Sequence, residues 1–206
     1  HSCDLSGKKV GVIGTGPSAI GFIPKIAEVV NELIIFQRTP NWILPKPDRK
    51  FSNVEKWLLK NMPFFGKLYR YYEYVMSERL YFAFFIKQNK ISSILERMIS
   101  NLTTGFKIKN MSSMYKQGQK MLLEAQISDK SLRDKLTPDY PVGCKRVIPT
   151  NDFFPTLERD NVFLETESIS KFDKDSIMTN DGKKNNVDVI IYGTGFETNI
   201  FISPVK

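Results

Sequence analysis

Cysteine, histidine and long apolar runs are all scarce in this sequence of 206 residues. It contains two cysteines, Cys3 and Cys144, and a single histidine, His1. Such a set predicts no disulfide framework and no Cys/His metal site, and it suits a reducing compartment. No apolar run approaches the roughly 18 residues of a membrane-spanning helix, and no secretion signal opens the chain. We therefore expect a soluble, cytoplasmic protein.

The charge is strongly one-sided. Lys and Arg number 30 against 22 Asp and Glu, which gives a formal net charge of +8. A cationic surface favours an anionic partner, such as nucleic acid, an acidic membrane face or a phosphorylated cofactor. An ordinary lysine-rich surface explains the excess equally well. With 41% hydrophobic residues, the chain has enough apolar side chains for one large globular domain or a domain with an insertion.

The first 36 residues have the pattern of a βαβ unit. Residues 8–13 and 33–36 are short apolar runs, and residues 17–30 carry apolar side chains at helical spacing. Two such strands, joined by a crossover helix, are expected to lie parallel in a covered sheet. Residues 40–50 contain three prolines and are predicted to form an extended loop.

The middle of the chain lacks strand patterns. Apolar stripes at helical spacing occur within residues 68–81 and 91–102, and we expect them to pack on one another or on a neighbouring domain. A basic membrane-surface helix is the alternative, because aromatic residues alternate with Lys60, Lys67, Arg70 and Arg79.

Short strand patterns return after Pro138, include a predicted hairpin turn at Asn180-Asp181-Gly182, and end in an apolar run at residues 187–192. The sequence therefore predicts an α/β fold, a Rossmann-like domain with a doubly wound parallel sheet that a helical insertion interrupts. The predicted boundaries are 1–50 for the first part of the domain, 51–136 for the insertion, 137–185 for the remainder and 186–206 for the start of a second domain.

A glycine-rich turn lies between the first strand and helix. It reads Gly14-Thr15-Gly16-Pro17-Ser18-Ala19 and matches G-x-G-x-x-A. Gly14 permits the tight turn, Gly16 lets the backbone approach a pyrophosphate, and Ala19 allows close contact of helix and strand. N–H groups at the helix N-terminus would face the phosphates. The strand and helix on either side favour a dinucleotide site over a purely structural turn.

The end of the second predicted strand indicates which dinucleotide binds. NAD sites usually carry Asp or Glu there, whereas this chain has Arg38 followed by Thr39. A guanidinium can bind two oxygens of a 2′-phosphate and stack on adenine. We therefore predict NADP(H) rather than NAD or FAD for this unit.

Four segments together resemble the class B flavoprotein monooxygenases, especially the Baeyer–Villiger branch. They are GKKVGVIGTGPSAIGFIPKIA, IIFQRTPNWILPKP, YPVGCKRVIPTNDFFPTLERDNVFLE and DVIIYGTGFETN. The resemblance implies an enzyme with FAD and NADPH in two Rossmann-type domains. Such an enzyme uses O2, through a C4a-peroxyflavin, to oxygenate a small-molecule ketone, amine or sulfide.

The resemblance also implies roles for individual residues. Arg38 and Thr39 would hold the 2′-phosphate, Lys145 would be a second phosphate cation, and Arg146 would be the catalytic arginine near the flavin. From sequence context alone, Lys145 and Arg146 are only adjacent cations in an apolar segment, and Cys144 reads as a small packing residue. The remaining implied cofactor contacts are Thr15, Gly16, Pro17, Ser18, Ala19, Ile20 and Gly21 at the pyrophosphate and Gly193, Thr194 and Gly195 near the junction of the two domains.

The chain departs from the family pattern in two places. Gly21 stands where the family often has Gln, and the FAD-binding G-x-G-x-x-G is missing. We therefore expect a fragment that covers the NADP-binding domain, is inactive alone and does not hold FAD tightly. Two alternatives are a stand-alone NADP-binding module without catalysis and a basic domain for nucleic acid or anionic lipid. No nucleic-acid motif supports the last of these.

Overall fold

A four-stranded parallel sheet is the centre of the structure, a computed structural model that describes residues 3–46, 48–85 and 111–195. Along the chain the elements are β1 (Lys9–Ile13), α1 (Pro17–Ala27), β2 (Glu32–Phe36), β3 (Ile43–Leu44), α2 (Asn53–Asn61), α3 (Pro63–Phe85), α4 (Met111–Gln126), α5 (Lys130–Leu136), β4 (Ile148–Pro149), α6 (Phe153–Leu157), β5 (Val162–Glu165), β6 (Ile169–Phe172), β7 (Ser176–Thr179), β8 (Lys184–Asn186) and β9 (Val189–Tyr192). The predicted α/β class with a parallel sheet is confirmed.

The strand order of the central sheet is β5-β2-β1-β9, and every pairing is parallel. Val10 is in register with Leu33 on one side and with Val189 on the other. Strand β1 is thus buried between two neighbours, which suits its run of β-branched residues. The βαβ unit predicted from the first 36 residues is confirmed.

The two faces of this sheet are covered differently. Val10, Val12 and Leu33 belong to a core with α1 and α6, in which Ile23 and Phe153 are almost fully buried. Leu123, Ile127 and Leu136 also lie in this core, although the sequence assigns them to the helical insertion.

Among the described residues, the opposite face packs against a three-stranded antiparallel sheet, β6-β7-β8. Ile34 and Phe36 meet Ile177 and Val187 there. The sequence predicts a doubly wound sheet, and among the described residues it is these strands that cover the second face. Short strands with a turn at Asn180–Gly182 were sufficient to cover the second face, and that hairpin turn is confirmed by the bond from Gly182 N to Thr179 O.

A short parallel ladder joins β3 to β4, with Ile43 opposite Ile148. It falls within the residues 40–50 for which the sequence predicts an extended loop, so that prediction is wrong for Ile43–Leu44. Trp42 and Ile43 are buried beside the ladder. The prolines of this segment are compatible with the ladder because β3 is only two residues long.

The chain divides into two compact units. One contains the sheets with β3 and β4, and is made of the chain up to Pro45, Gly118–Tyr140 and the residues from Lys145 onward. The other contains Lys46–Gln117 and Pro141–Cys144. The assignment of residues 186–206 to a second domain stays a prediction, and β9 itself pairs with β1.

Helices α2 and α3 belong to the second unit. Ser52 caps α2, accepting a hydrogen bond from Glu55 N while the Glu55 carboxylate accepts one from Ser52 N. Arg49 pairs with that carboxylate, and Phe51 contacts Tyr69 edge-on at a centroid distance of 5.9 Å. The apolar stripe on α3 includes exposed Leu68 and Tyr72, so its packing against a partner stays a prediction. The stripe predicted at residues 91–102 lies outside the described residues.

Candidate functional site

The glycine turn after β1 is held tightly at the carboxyl edge of the central sheet. Gly14 N donates to Phe36 O at 2.9 Å, and Gly14 has a φ of +97°, where a side chain would be strained. A Cβ on Gly14 would also lie 2.7 Å from Gly193 O. Both the conformation and the crowding explain why glycine stands at this position.

Strand β9 brings a second predicted segment to the same turn. Gly193 N donates to Ile13 O at 2.8 Å, and a Cβ on Gly193 would lie 2.9 Å from the Ala19 Cβ. In the sheet, β1 lies between β2, the strand that follows it along the chain, and β9. In open α/β sheets, ligands bind where the strand order reverses in this way, outside the carboxyl ends of the strands. Residues 14–21 and 193–195 therefore meet at the expected position.

The N-terminus of α1 is suited to an anion. Its N-cap, Gly16, supplies no side-chain hydrogen bond, its first turn contains no acid, and Pro17 has no N–H to satisfy. Ser18 is exposed beside it, whereas Ala19 and Ile20 are buried against the sheet. Gly21 is exposed, and no atom lies within 4 Å of a Cβ added there.

Arg38 follows β2 at the same edge. It is exposed, and no ion pair joins it to an acid in the part of the chain that the structure describes. The neighbouring acid, Glu165 at the end of β5, is buried and binds Lys183 Nζ at 2.6 Å. That pairing limits repulsion of an anion at this edge. Thr39, next to Arg38, is half-buried.

Lys145 and Arg146 are exposed and precede β4. Lys145 Nζ lies 5.0 Å from the centre of the Tyr140 ring, and the Tyr140 hydroxyl donates to Pro40 O at 2.8 Å. Tyr140 therefore links Lys145, which lies over its ring, to Pro40, which its hydroxyl bonds two residues after Arg38. Since β3 and β4 run parallel, the segments that contain Pro40 and Lys145 enter the ladder from the same end.

Cys144 is exposed, so its prediction as a buried packing residue is wrong. The prediction rested on the lack of a nearby His or Asp in sequence, whereas the turn at residues 141–144 leaves Cys144 exposed. Cys3 is exposed as well, and both thiols are free.

None of the described helices combines the length and the apolar content that a membrane span requires.

Sequence reasoning missed three amide side chains behind the glycine turn: Gln37 and Gln119 are buried, and Asn41 is half-buried. Thr15 is 5% exposed. Asn41 Nδ2 donates to the backbone oxygen of Thr15 and, at 3.2 Å, to Thr15 Oγ1. Gln37 accepts from the Thr15 hydroxyl and donates to Lys135 O at 3.2 Å. Gln119 donates to Asn41 O and Leu136 O and accepts from Ile43 N. Gln37 and Asn41 lie in the segment IIFQRTPNWILPKP, but their hydrogen-bond partners are distant in sequence.

Comparison with known proteins covers almost the whole chain. A Baeyer–Villiger monooxygenase from Pseudomonas aeruginosa is 36% identical over 199 residues, which is 97% of this chain. Another, from Streptomyces coelicolor, is 34% identical over 95% of the chain. The chain is a partial homologue of the Baeyer–Villiger monooxygenases. It spans about a third of their length, because the match covers 34% of each relative. No protein-family model matches the chain.

A solved structure supports the same relationship. The crystal structure of OTEMO in complex with FAD and NADP superposes on this chain with a TM-score of 0.64 and 27% identity. The superposition covers 94% of this chain and 39% of that one. The family resemblance inferred from the four motifs is thus confirmed.

Proposed function

We propose that this chain is the NADP-binding part of an FAD-dependent, NADPH-using monooxygenase. The observation that carries the proposal is the meeting of the Gly14–Ala19 turn, Gly193 and the free N-terminus of α1 at one edge of the sheet. The cofactors named for the OTEMO structure, FAD and NADP, support the proposal from a homologous fold.

The residues at this edge fit a dinucleotide. Gly14 and Gly193 bring two backbone segments close together, because a Cβ on Gly14 would meet Gly193 O and one on Gly193 would meet the Ala19 Cβ, and this leaves bare backbone at the edge where the dinucleotide would bind. The uncapped N-terminus of α1 would bind the pyrophosphate through its N–H groups and its partial positive charge. Residues 15–21 would line the pyrophosphate and residues 193–195 would close the other side.

Arg38 supplies the selectivity between NADP and NAD in this proposal. Its guanidinium is unpaired within the described residues and can bind two oxygens of the 2′-phosphate. Thr39 would add a hydroxyl, and Lys145 a second positive charge. Glu165 does not oppose this, because Lys183 neutralises it.

In a protein of the relatives' length, NADPH would supply a hydride to FAD, which would use O2 to oxygenate a ketone, amine or sulfide. Arg146 would stabilise negative charge that develops near the flavin, a preorganised electrostatic role. FAD itself would be held mainly by segments other than those described. Whether oxygen enters a C–C bond or binds to a heteroatom depends on the substrate pocket of that larger protein.

Calorimetric titration of the 206-residue chain with NADP+ and NAD+ tests the cofactor proposal. We expect NADP+ to bind measurably and at least about tenfold more tightly than NAD+, as a charge-assisted contact to the 2′-phosphate predicts. Equal affinity for the two would contradict the role of Arg38, and binding of neither would overturn the proposal.

The enzymatic part is tested on the longer parent protein. We expect a yellow protein with flavin absorbance whose NADPH oxidation speeds up when a ketone or sulfide is added. A parent that binds NADP+ but contains no flavin would instead support a stand-alone NADP-binding module.

A further inference from the structure

We propose that Asn41 is a positioning residue that aims the N–H of Gly16 at the pyrophosphate of the dinucleotide. This inference rests on the NADP-binding function proposed above. Asn41 lies outside the glycine turn. The role proposed for it requires no contact with the cofactor. It would act through the peptide bond between Thr15 and Gly16.

The bond that carries the inference runs from Asn41 Nδ2 to Thr15 O. Only the amide nitrogen can donate to a carbonyl oxygen, so the orientation of the Asn41 side chain is fixed. The same nitrogen uses its second hydrogen on Thr15 Oγ1, and the Thr15 hydroxyl in turn donates to Gln37 Oε1. Both polar groups of Thr15 that face inward are thereby occupied.

Peptide planarity transmits this bond to Gly16. In a trans peptide, the C=O and the following N–H point in opposite directions. Because Asn41 holds Thr15 O on the inner side, the Gly16 N–H must point away from the amide network. Within the described part of the chain that N–H has no hydrogen-bond acceptor, and it directly precedes the uncapped N-terminus of α1. It is therefore an available donor at the start of the helix.

The backbone of Asn41 is itself held from behind by Gln119, whose side-chain amide uses both donors and its oxygen. Gln119 is 1% exposed, and its two donors and its oxygen bind Asn41 O, Leu136 O and Ile43 N. Asn41 is thus held at its backbone by α4, while its side chain holds the turn. A buried amide with all its hydrogen bonds made, as Gln119 is, favours one conformation of the backbone it holds.

The test compares Asn41→Ala with Asn31→Ala in the full chain, using NADP+ and 2′-AMP as probes. Asn31 is exposed just before β2, at the opposite edge of the sheet, and controls for the loss of an asparagine side chain. We expect Asn41→Ala to weaken NADP+ about tenfold or more, as the loss of a well-aimed bond to a charged group predicts. Binding of 2′-AMP, which has no pyrophosphate, should stay within about twofold, because its contacts with Arg38 remain.

The outcomes separate this inference from the proposed function. If the unmodified chain binds neither probe, the NADP-binding function itself fails. If it binds both and Asn41→Ala weakens both equally, Asn41 merely supports the fold and the positioning role is wrong. Unchanged NADP+ affinity in a folded Asn41→Ala variant also overturns it.

A measurement on the unmodified chain covers the case in which the variant does not fold. In a 1H–15N spectrum, NADP+ should move the Gly16 amide proton downfield, as a new hydrogen bond to phosphate requires. The same spectrum with 2′-AMP should leave this resonance in place. A Gly16 amide that does not respond to NADP+ would refute the proposal.

Discussion

Gly193 lies against Ala19 so closely that a Cβ added to Gly193 would stand 2.9 Å from the Cβ of Ala19. The contact joins the end of β9 to the first turn of α1. It is therefore a sensitive point for both the stability of the sheet and the shape of the candidate site.

Gly193→Ala should destabilise the chain by about 1–3 kcal/mol, because overpacking forces backbone shifts. Denaturant unfolding measures this. In a double-mutant cycle, Ala19→Gly should recover part of the loss, since it removes one of the clashing carbon atoms. Gly21→Ala in the same helix is the control, because its Cβ meets nothing within 4 Å and should stabilise α1 slightly. Strict additivity of the Gly193 and Ala19 changes would contradict the proposed clash.

Arg38→Glu should weaken NADP+ binding by about 100-fold or more while changing NAD+ binding far less. The substitution replaces a favourable ion pair with repulsion of the 2′-phosphate. Calorimetric titration with both nucleotides measures the ratio. Arg159→Glu is a matched control, since Arg159 is exposed and precedes β5 at the opposite edge of the sheet. An equal loss for both nucleotides would remove Arg38 from the 2′-phosphate site.

Arg146→Ala should lower the rate of oxygenation by the longer parent about 100-fold and spare its affinity for NADP+. The reason is that a preorganised cation acts on charge that develops during the reaction. Product formation and nucleotide titration are to be measured on the same preparation, with Arg159→Ala as the control. An undiminished product yield would exclude Arg146 from the reaction.

Gln119→Leu should destabilise the chain by about 2–4 kcal/mol. The substitution keeps the volume of the side chain but leaves Ile43 N, Asn41 O and Leu136 O without their buried partner. Gln117→Leu offers the same chemical change two residues earlier, at an exposed position of α4, and should be nearly neutral. Equal unfolding midpoints for the two variants would show that the amide network contributes little.

The stability contributed by the capping box of α2, formed by Ser52 and Glu55, should depend on pH in the acidic range. The Arg49 guanidinium, followed by the bonds from Ser52, lowers the pKa of Glu55 from its ordinary 4.5 to about 2. A carboxyl group with a lowered folded-state pKa stabilises the fold above its unfolded pKa, and this contribution is lost as pH falls from 4.5 toward 2. A 13C titration of the Glu55 carboxyl group should show the low midpoint, and Glu55→Gln should remove this part of the acid sensitivity. A midpoint near 4.5 would contradict the cap geometry.

Local sequence patterns were sufficient to predict those parts of the fold in which the contacting residues lie close together in sequence. The strand, glycine turn and helix around Gly14 are one continuous segment, and so is the hairpin around Gly182. Arg38 was found because a strand end has a known chemical role in such sheets. Its exposure and its lack of an acidic partner among the described residues agree with that prediction.

Long-range contacts account for what was missed. Gln37 and Lys135 are 98 residues apart, and Gln119 and Asn41 are 78 apart, so no local period reveals their bonds. The β3–β4 ladder depends in the same way on two residues from each side of a large insertion. Cys144 was predicted to be a small packing residue because no His or Asp lies near it in sequence, but its burial is decided by the path of the turn.

The pairing of β1 with β9 also has a consequence for the order of folding. Lys9 N donates a hydrogen bond to Asp188, 179 residues later, so one edge of β1 can be paired only after β9 has also left the ribosome. Closing so long a loop is slow, and until it closes β1 presents an unpaired, apolar strand edge to other chains. Translation products that stop before Val189 should therefore leave this edge of β1 exposed and aggregate more readily than products that include β9.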